Sequence, residues 1–91
     1  MADVRLPPTL TPLFAGLPRR VEIDATTPAG AIDELDHLYP GLRDRLCHPG
    51  PELRSHIRVY VDGEPAQLDT ILRAGSRLDV IAAISGGSQI V

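Results

Sequence analysis

Polar and apolar residues alternate along three stretches of the chain, and a period of two predicts half-buried strands. These stretches are Arg20-Val21-Glu22-Ile23-Asp24, His56-Ile57-Arg58-Val59-Tyr60-Val61, and Arg77-Leu78-Asp79-Val80 running on to Ile84. A shorter first strand is predicted over Asp3 to Leu6, pairing with the second as a hairpin. Pro7-Pro8 halts it, because their fixed φ and missing donors do not suit a central ladder. In the connector, Leu10, Leu13, Phe14 and Leu17 recur at roughly helical spacing, but Pro12 and Gly16 limit the segment to a turn or two. One segment has a clear helical period. Ala31, Ile32, Leu35, Leu38 and Tyr39 mark its inner face, while Asp33, Glu34, Asp36 and His37 take the outer one. Thr27 is placed to cap this helix, Pro28 suits its first position, and Pro40-Gly41 ends it. Leu42 to Cys47 adds a short helical turn before the loop His48-Pro49-Gly50-Pro51. Asp62-Gly63 and Ala74-Gly75-Ser76 are turns, and Gln67 to Leu72 is expected to hold a short strand and one helical turn.

The order strand, strand, helix, strand, short elements, strand defines an α+β fold. One main helix covers one face of a mixed sheet of four to five strands around a two-layer core. This is the β-grasp architecture. If its first and last strands are neighbours at the centre, they run parallel and the chain beyond the last strand leaves the sheet at one end. Residues 1–84 are expected to form the domain and residues 85–91 a flexible tail. Gly86-Gly87 in that tail carries no side chain, a property suited to threading a narrow enzyme channel.

Composition narrows the function. The 43% hydrophobic and 23% charged content of these 91 residues is ordinary for a globular domain, so neither disorder nor a membrane span explains the chain. A net charge of -3, with Arg19-Arg20 the one adjacent basic pair, argues against a nucleic-acid face. Every basic residue is arginine, so the N-terminus is the one primary amine and self-conjugation through an isopeptide bond is disfavoured. Cys47 is the sole cysteine, which excludes an internal disulfide, and Met1 to Pro8 holds no secretion signal; a cytoplasmic location follows by default. Cys47 lies near no base that would activate its thiol, and His37, His48 and His56 are spaced too widely for a compact metal motif. No nucleophile, base and orienting group can be assembled, so an enzyme is not expected.

Alternation also places Ile81 outward beside Arg77 and Asp79, and Tyr60 outward on the preceding long strand. An exposed apolar residue and an aromatic near the tail suit contact with a partner protein.

Several segments, in order, resemble the MoaD/ThiS family of ubiquitin-like sulfur carriers: Val4-Arg5-Leu6-Pro7-Pro8, Leu38-Tyr39-Pro40-Gly41-Leu42, Val59-Tyr60-Val61-Asp62-Gly63-Glu64, Leu68-Asp69-Thr70, Gly75, and Ser85-Gly86-Gly87. The resemblance covers almost the whole chain. It implies a protein that is a substrate of other enzymes and binds no cofactor. An activating enzyme of the ubiquitin-activating type would use ATP to adenylate the carboxylate of Gly87, and a sulfur donor would convert it to a thiocarboxylate. The sulfur would pass to an acceptor enzyme in molybdopterin, thiazole, cysteine or natural-product biosynthesis. Here Ser88-Gln89-Ile90-Val91 follows the glycines, so the resemblance implies a precursor cut at Gly87-Ser88 by a zinc-dependent metallopeptidase of the JAMM type. The alternative is a ubiquitin-like binding or regulatory module whose blocked tail is never activated.

Overall fold

Thr27 starts the long helix α1 (Pro28–Leu38) with its hydroxyl, which accepts a hydrogen bond from the Gly30 N–H at 3.1 Å. The computed structural model of the protein describes residues 1–50 and 52–82. Ala31, Ile32 and Leu35 are buried at 1% exposure or less, as the helical period predicts. Leu38 departs from the prediction: it is 60% exposed. The helix ends there, and Tyr39 leaves helical geometry (φ -133°, ψ 83°) to take the inward place, its hydroxyl reaching the Gly16 carbonyl at 3.4 Å.

Gly41, at φ 97°, turns the chain into a second short helix α2 (Leu42–Leu46), whose Leu42 and Leu46 are buried. Asp36 ties the two helices together. Its Oδ1 accepts from the backbone N–H of Gly41 at 3.1 Å and of Arg43 at 3.0 Å, filling orphan donors at the start of α2. The Arg43 N–H bond, aided by that of Gly41 and by the Arg43 charge, holds the Asp36 carboxyl below its ordinary value against a smaller effect of burial. A carboxyl depressed by folding adds stability above its ordinary pKa of about 3.9, and that stability is lost as pH falls through the lower folded value. Asp36→Asn should therefore destabilise the protein near neutral pH, with the gap to the parent closing in acid. Urea midpoints measured across that range check this, and a gap that does not change with pH contradicts it.

The strands are β1 (Ala2–Arg5), β2 (Arg20–Ile23), β3 (Cys47–His48), β4 (Glu52–Leu53), β5 (Ile57–Val61), β6 (Glu64–Ala66) and β7 (Arg77–Ala82). Five of them form one sheet in the order β2-β1-β7-β5-β6. β1 pairs antiparallel with β2, Val4 facing Val21, and parallel with β7, Val4 facing Leu78. The first and last strands are thus neighbours, and they run parallel as that adjacency requires. Val4, Ile57, Val59, Leu78 and Val80 point beneath the sheet into the core with Ile32 and Leu35. A 3₁₀ turn over Thr11–Leu13 occupies the connector between β1 and β2.

Two further expectations are corrected. The segment after Cys47 is not all loop: β3 and β4 form a small second sheet, with His48 facing Glu52. Arg54 pins it through its backbone N–H to the Leu46 carbonyl at 2.9 Å and its Nε to the Asp44 carbonyl at 2.8 Å. The short strand expected within Gln67 to Leu72 instead precedes it as β6. Asp62 (φ 51°) and Gly63 (φ 86°) make a two-residue turn, so pairing with β5 begins at once at Glu64. Pro65 is tolerated because it faces Tyr60 in a non-hydrogen-bonded pair, where its missing N–H would have pointed off the sheet edge. Gln67 to Leu72 is irregular and is tied to the start of α1 by Ala29 N–H to the Leu68 carbonyl and Leu72 N–H to the Thr26 carbonyl.

Candidate functional site

Helices α1 and α2 cover one face of the sheet and leave the other open, and β7 runs through its middle toward the glycine pair. Ala82 is the last described residue of that strand. Gly86, Gly87 and the Gly87-Ser88 bond lie outside the described residues, as do Ala83 and Ile84, which the sequence had assigned to the strand. Ala82 borders two grooves. One, of about 650 Å³, is lined by Pro7, Leu10, Leu13, Leu46, His56 and Ile57. The other, of about 310 Å³, is lined by Arg5, Pro7, Arg19 and Ile81.

Ile81 is 44% exposed on the uncovered face, and Tyr60 is half-buried on the same face. Register brings them together. Tyr60 faces Asp79 and Arg58 faces Ile81, so Tyr60 and Ile81 are diagonal neighbours on adjacent strands, within reach of an aromatic side chain. The sequence had not singled out Arg58. Period two already puts it on the Tyr60 face, but only the register shows it lying against Ile81. Its guanidinium is folded back on the Ser55 carbonyl at 2.7 Å and the Ile57 carbonyl at 3.1 Å.

Toward β2 the open face becomes ionic. Asp3 receives Arg20 at 3.1 Å and Arg5 at 3.3 Å, and Asp79 receives Arg77 at 3.0 Å. The Arg20 hydrogen bond, with help from Arg5, holds the Asp3 carboxyl below its ordinary value despite an opposing effect of burial. The buried Nε of Arg5 has no acceptor among the described residues.

The remaining candidates lie apart from this face. Cys47 is buried, and desolvation pushes its thiol pKa up, the opposite of what a nucleophile needs. His37 is exposed with its Nδ1 3.9 Å from Glu34, and the His48 Nδ1 is 3.5 Å from Arg54, so the histidines do not converge. Among the described residues no three His, Cys, Asp or Glu side chains are grouped as a metal site, and no helix is long and apolar enough to cross a membrane.

A five-stranded mixed sheet with one main helix on one face, and a last strand running out toward a glycine pair, defines a ubiquitin-like β-grasp protein. The ThiS family model matches residues 13–87, and the chain belongs to that family of ubiquitin-like sulfur carriers and small modifiers. Among curated proteins it is similar to small archaeal modifier protein 1 of Haloferax volcanii, 36% identical over 69 residues that make up 75% of this chain and 79% of that one. The crystal structure of that modifier superposes with a TM-score of 0.73 at 34% identity, covering 94% of this chain and 98% of the other. A chain of the BexX/CysO complex of Amycolatopsis orientalis superposes with a TM-score of 0.82 at 26% identity, covering 96% and 100%. The lipid-A-disaccharide synthase of Paraburkholderia xenovorans is 38% identical over 76 residues, but the chain spans only 20% of that protein.

Proposed function

We propose that the protein is the precursor of a sulfur carrier and that its reactive group is the carboxylate of Gly87. The observation that carries this reading is the family match, which ends on Gly87 a few residues beyond β7. Gly87 is joined to Ser88 by a peptide bond, so its carbonyl is an amide with no oxygen free to attack a phosphate. Water must first cleave that bond, a step assigned to a zinc metallopeptidase of the JAMM type. The freed carboxylate attacks the α-phosphate of ATP on an activating enzyme, pyrophosphate leaves, and an acyl adenylate remains. Sulfur delivered by the donor at the sulfide level (HS⁻) then attacks the acyl carbon, the acyl–phosphate bond breaks, AMP leaves, and a thiocarboxylate remains. Residues 1–84 serve as the handle, residues 85–91 as the substrate segment, and the chain itself contributes no catalytic group. The acceptor, whether a molybdopterin, thiazole or cysteine precursor or a natural product, is chosen by the partner enzymes.

Ile81 and Tyr60 are the surface by which the activating enzyme holds the domain. Ile81→Asp should weaken capture roughly tenfold or more by placing a charge in a desolvated contact. Because Ile81 is exposed, the same change should alter folding stability by only about 0.5 kcal/mol. Unchanged binding in a pull-down with the activating enzyme removes this assignment.

A second reading is favoured by the relative named a small modifier: an amine of another protein, in place of sulfur, attacks the same activated Gly87 carbonyl. Both readings require the cut. Incubating the activating enzyme and ATP with the intact chain and with a chain ending at Gly87 should give adenylate from the shorter one only. Adenylate from the intact chain refutes the precursor step. Adenylate from neither returns the protein to the class of unactivated binding modules.

A further inference from the structure

Strand β2 is one edge of the sheet, with no strand beyond it among the described residues. Val4 faces Val21 across the β1–β2 ladder, and the Leu6 N–H donates to the Arg19 carbonyl at 2.8 Å. Arg19, Val21 and Ile23 therefore turn their backbone groups toward β1, and Arg20 and Glu22 turn theirs away from the sheet. An edge of this kind templates another strand unless something blunts it. At the opposite edge Pro65 does so. On β2 the blunting devices would be the exposed Arg20 and Glu22, but their charges alternate in sign.

Alternating charge makes the strand complementary to itself. An antiparallel second copy centred on Val21 sets each Arg20 opposite the other copy's Glu22, and both residues carry outward backbone groups that can exchange hydrogen bonds. Centring on Glu22 sets Arg20 opposite Asp24 but brings two carboxylates face to face, and centring on Arg20 opposes two guanidinium groups, so the Val21 centre is the one of the three that opposes no like charges. Within one copy Glu22 faces Asp3, a like charge, while the Arg20 side chain, 67% exposed, already leans on Asp3. Asp3 already has Arg20 and Arg5 as partners, whereas Glu22 has no ion pair among the described residues, and a second copy's Arg20 would supply one.

We propose that β2 is a self-association surface, on which a second copy of this chain adds its own β2 about a two-fold axis at Val21 and joins the two sheets into one. The two-fold reverses the partner, so the two β7 strands point in opposite directions. Both faces carrying Ile81 and Tyr60 stay open. The shared edge is short and buries well under about 1,200 Å², which places the contact among weak, transient interfaces, with a dissociation constant on the order of 1 mM.

The test is a charge exchange. Arg20→Glu and Glu22→Arg each oppose like charges and should self-associate roughly tenfold more weakly than the parent. Mixing the two variants restores opposite charges across the edge and should recover association to within about threefold of the parent. Sedimentation at millimolar concentration gives the masses, and concentration-dependent amide shifts centred on Arg20 and Glu22 locate the contact. Should Arg20→Glu lose its fold with the Asp3 pair, Glu22→Pro serves instead. It removes an outward N–H without touching the β1 ladder and should abolish association. A parent that stays monomeric at millimolar concentration, a mixture no stronger than its components, or shifts centred elsewhere overturns the proposal. So does a monomer whose edge instead takes up an extended peptide of another protein.

Discussion

Gly87→Val, made in a chain that ends at residue 87, should lower adenylation roughly 100-fold or more while leaving the melting curve of the domain unchanged. The reason lies in reach and width. Ala82 ends the described part of β7, and five further residues can carry the Gly87 carboxyl at most about 18 Å from it. On the proposed account the enzyme holds the open face around Ile81 and Tyr60, and this reach then requires the carboxylate to enter its site close to that same surface, with the last residues threaded through a passage to ATP. A β-branched side chain next to the acyl carbon restricts the backbone to fewer conformations and widens it at the point where in-line attack on the α-phosphate demands close approach. A displacement of about an ångström at reacting atoms is enough for a loss of this size. ATP–pyrophosphate exchange measures it, and equal rates for the two chains would mean that no narrow passage exists.

Leu78→Ala should cost about 3 kcal/mol of folding stability, the largest effect expected from a single change in the domain. Leu78 is fully buried on β7, which is the one strand paired with both β1 and β5, and it faces Val4 and Val61 in those ladders. Truncation opens a cavity that helix α1 beneath it and two flanking strands can fill only partly. A domain of this size has about 5–14 kcal/mol in total, so the loss is a large share and should lower the melting temperature by roughly 15 °C. Urea unfolding checks it, with a lower midpoint and an unchanged slope. Ile81, three residues along the same strand, should show almost none of this, because its side chain lies on the solvent side.

That contrast was legible in the sequence. A period of two separates Leu78 and Val80 from Arg77, Asp79 and Ile81, and the Thr27-Pro28 start and Pro40-Gly41 stop framed α1 to within a residue or so. What escaped depends on contacts between distant residues. The β3–β4 pair is two residues long on each side and rests on Arg54 reaching back to Leu46 and Asp44, which no local pattern reveals. Pro65 conceals β6, since proline normally counts against a strand and only its place in the outermost ladder makes it harmless. Leu38 fits the helical stripe but sits where the helix ends, so Tyr39 takes the inward place. On the open face, period two put Ile81 and Tyr60 outward, whereas their adjacency, and that of Arg58, follows from the β5–β7 register alone.

The central claim is that Gly87 becomes a free end and then carries sulfur. Intact mass spectrometry of the protein from its own cells tests this directly. The account predicts a species that has lost Ser88 to Val91, and a second one heavier than it by the exchange of one oxygen for one sulfur. A chain that retains residues 88–91 under every growth condition contradicts it.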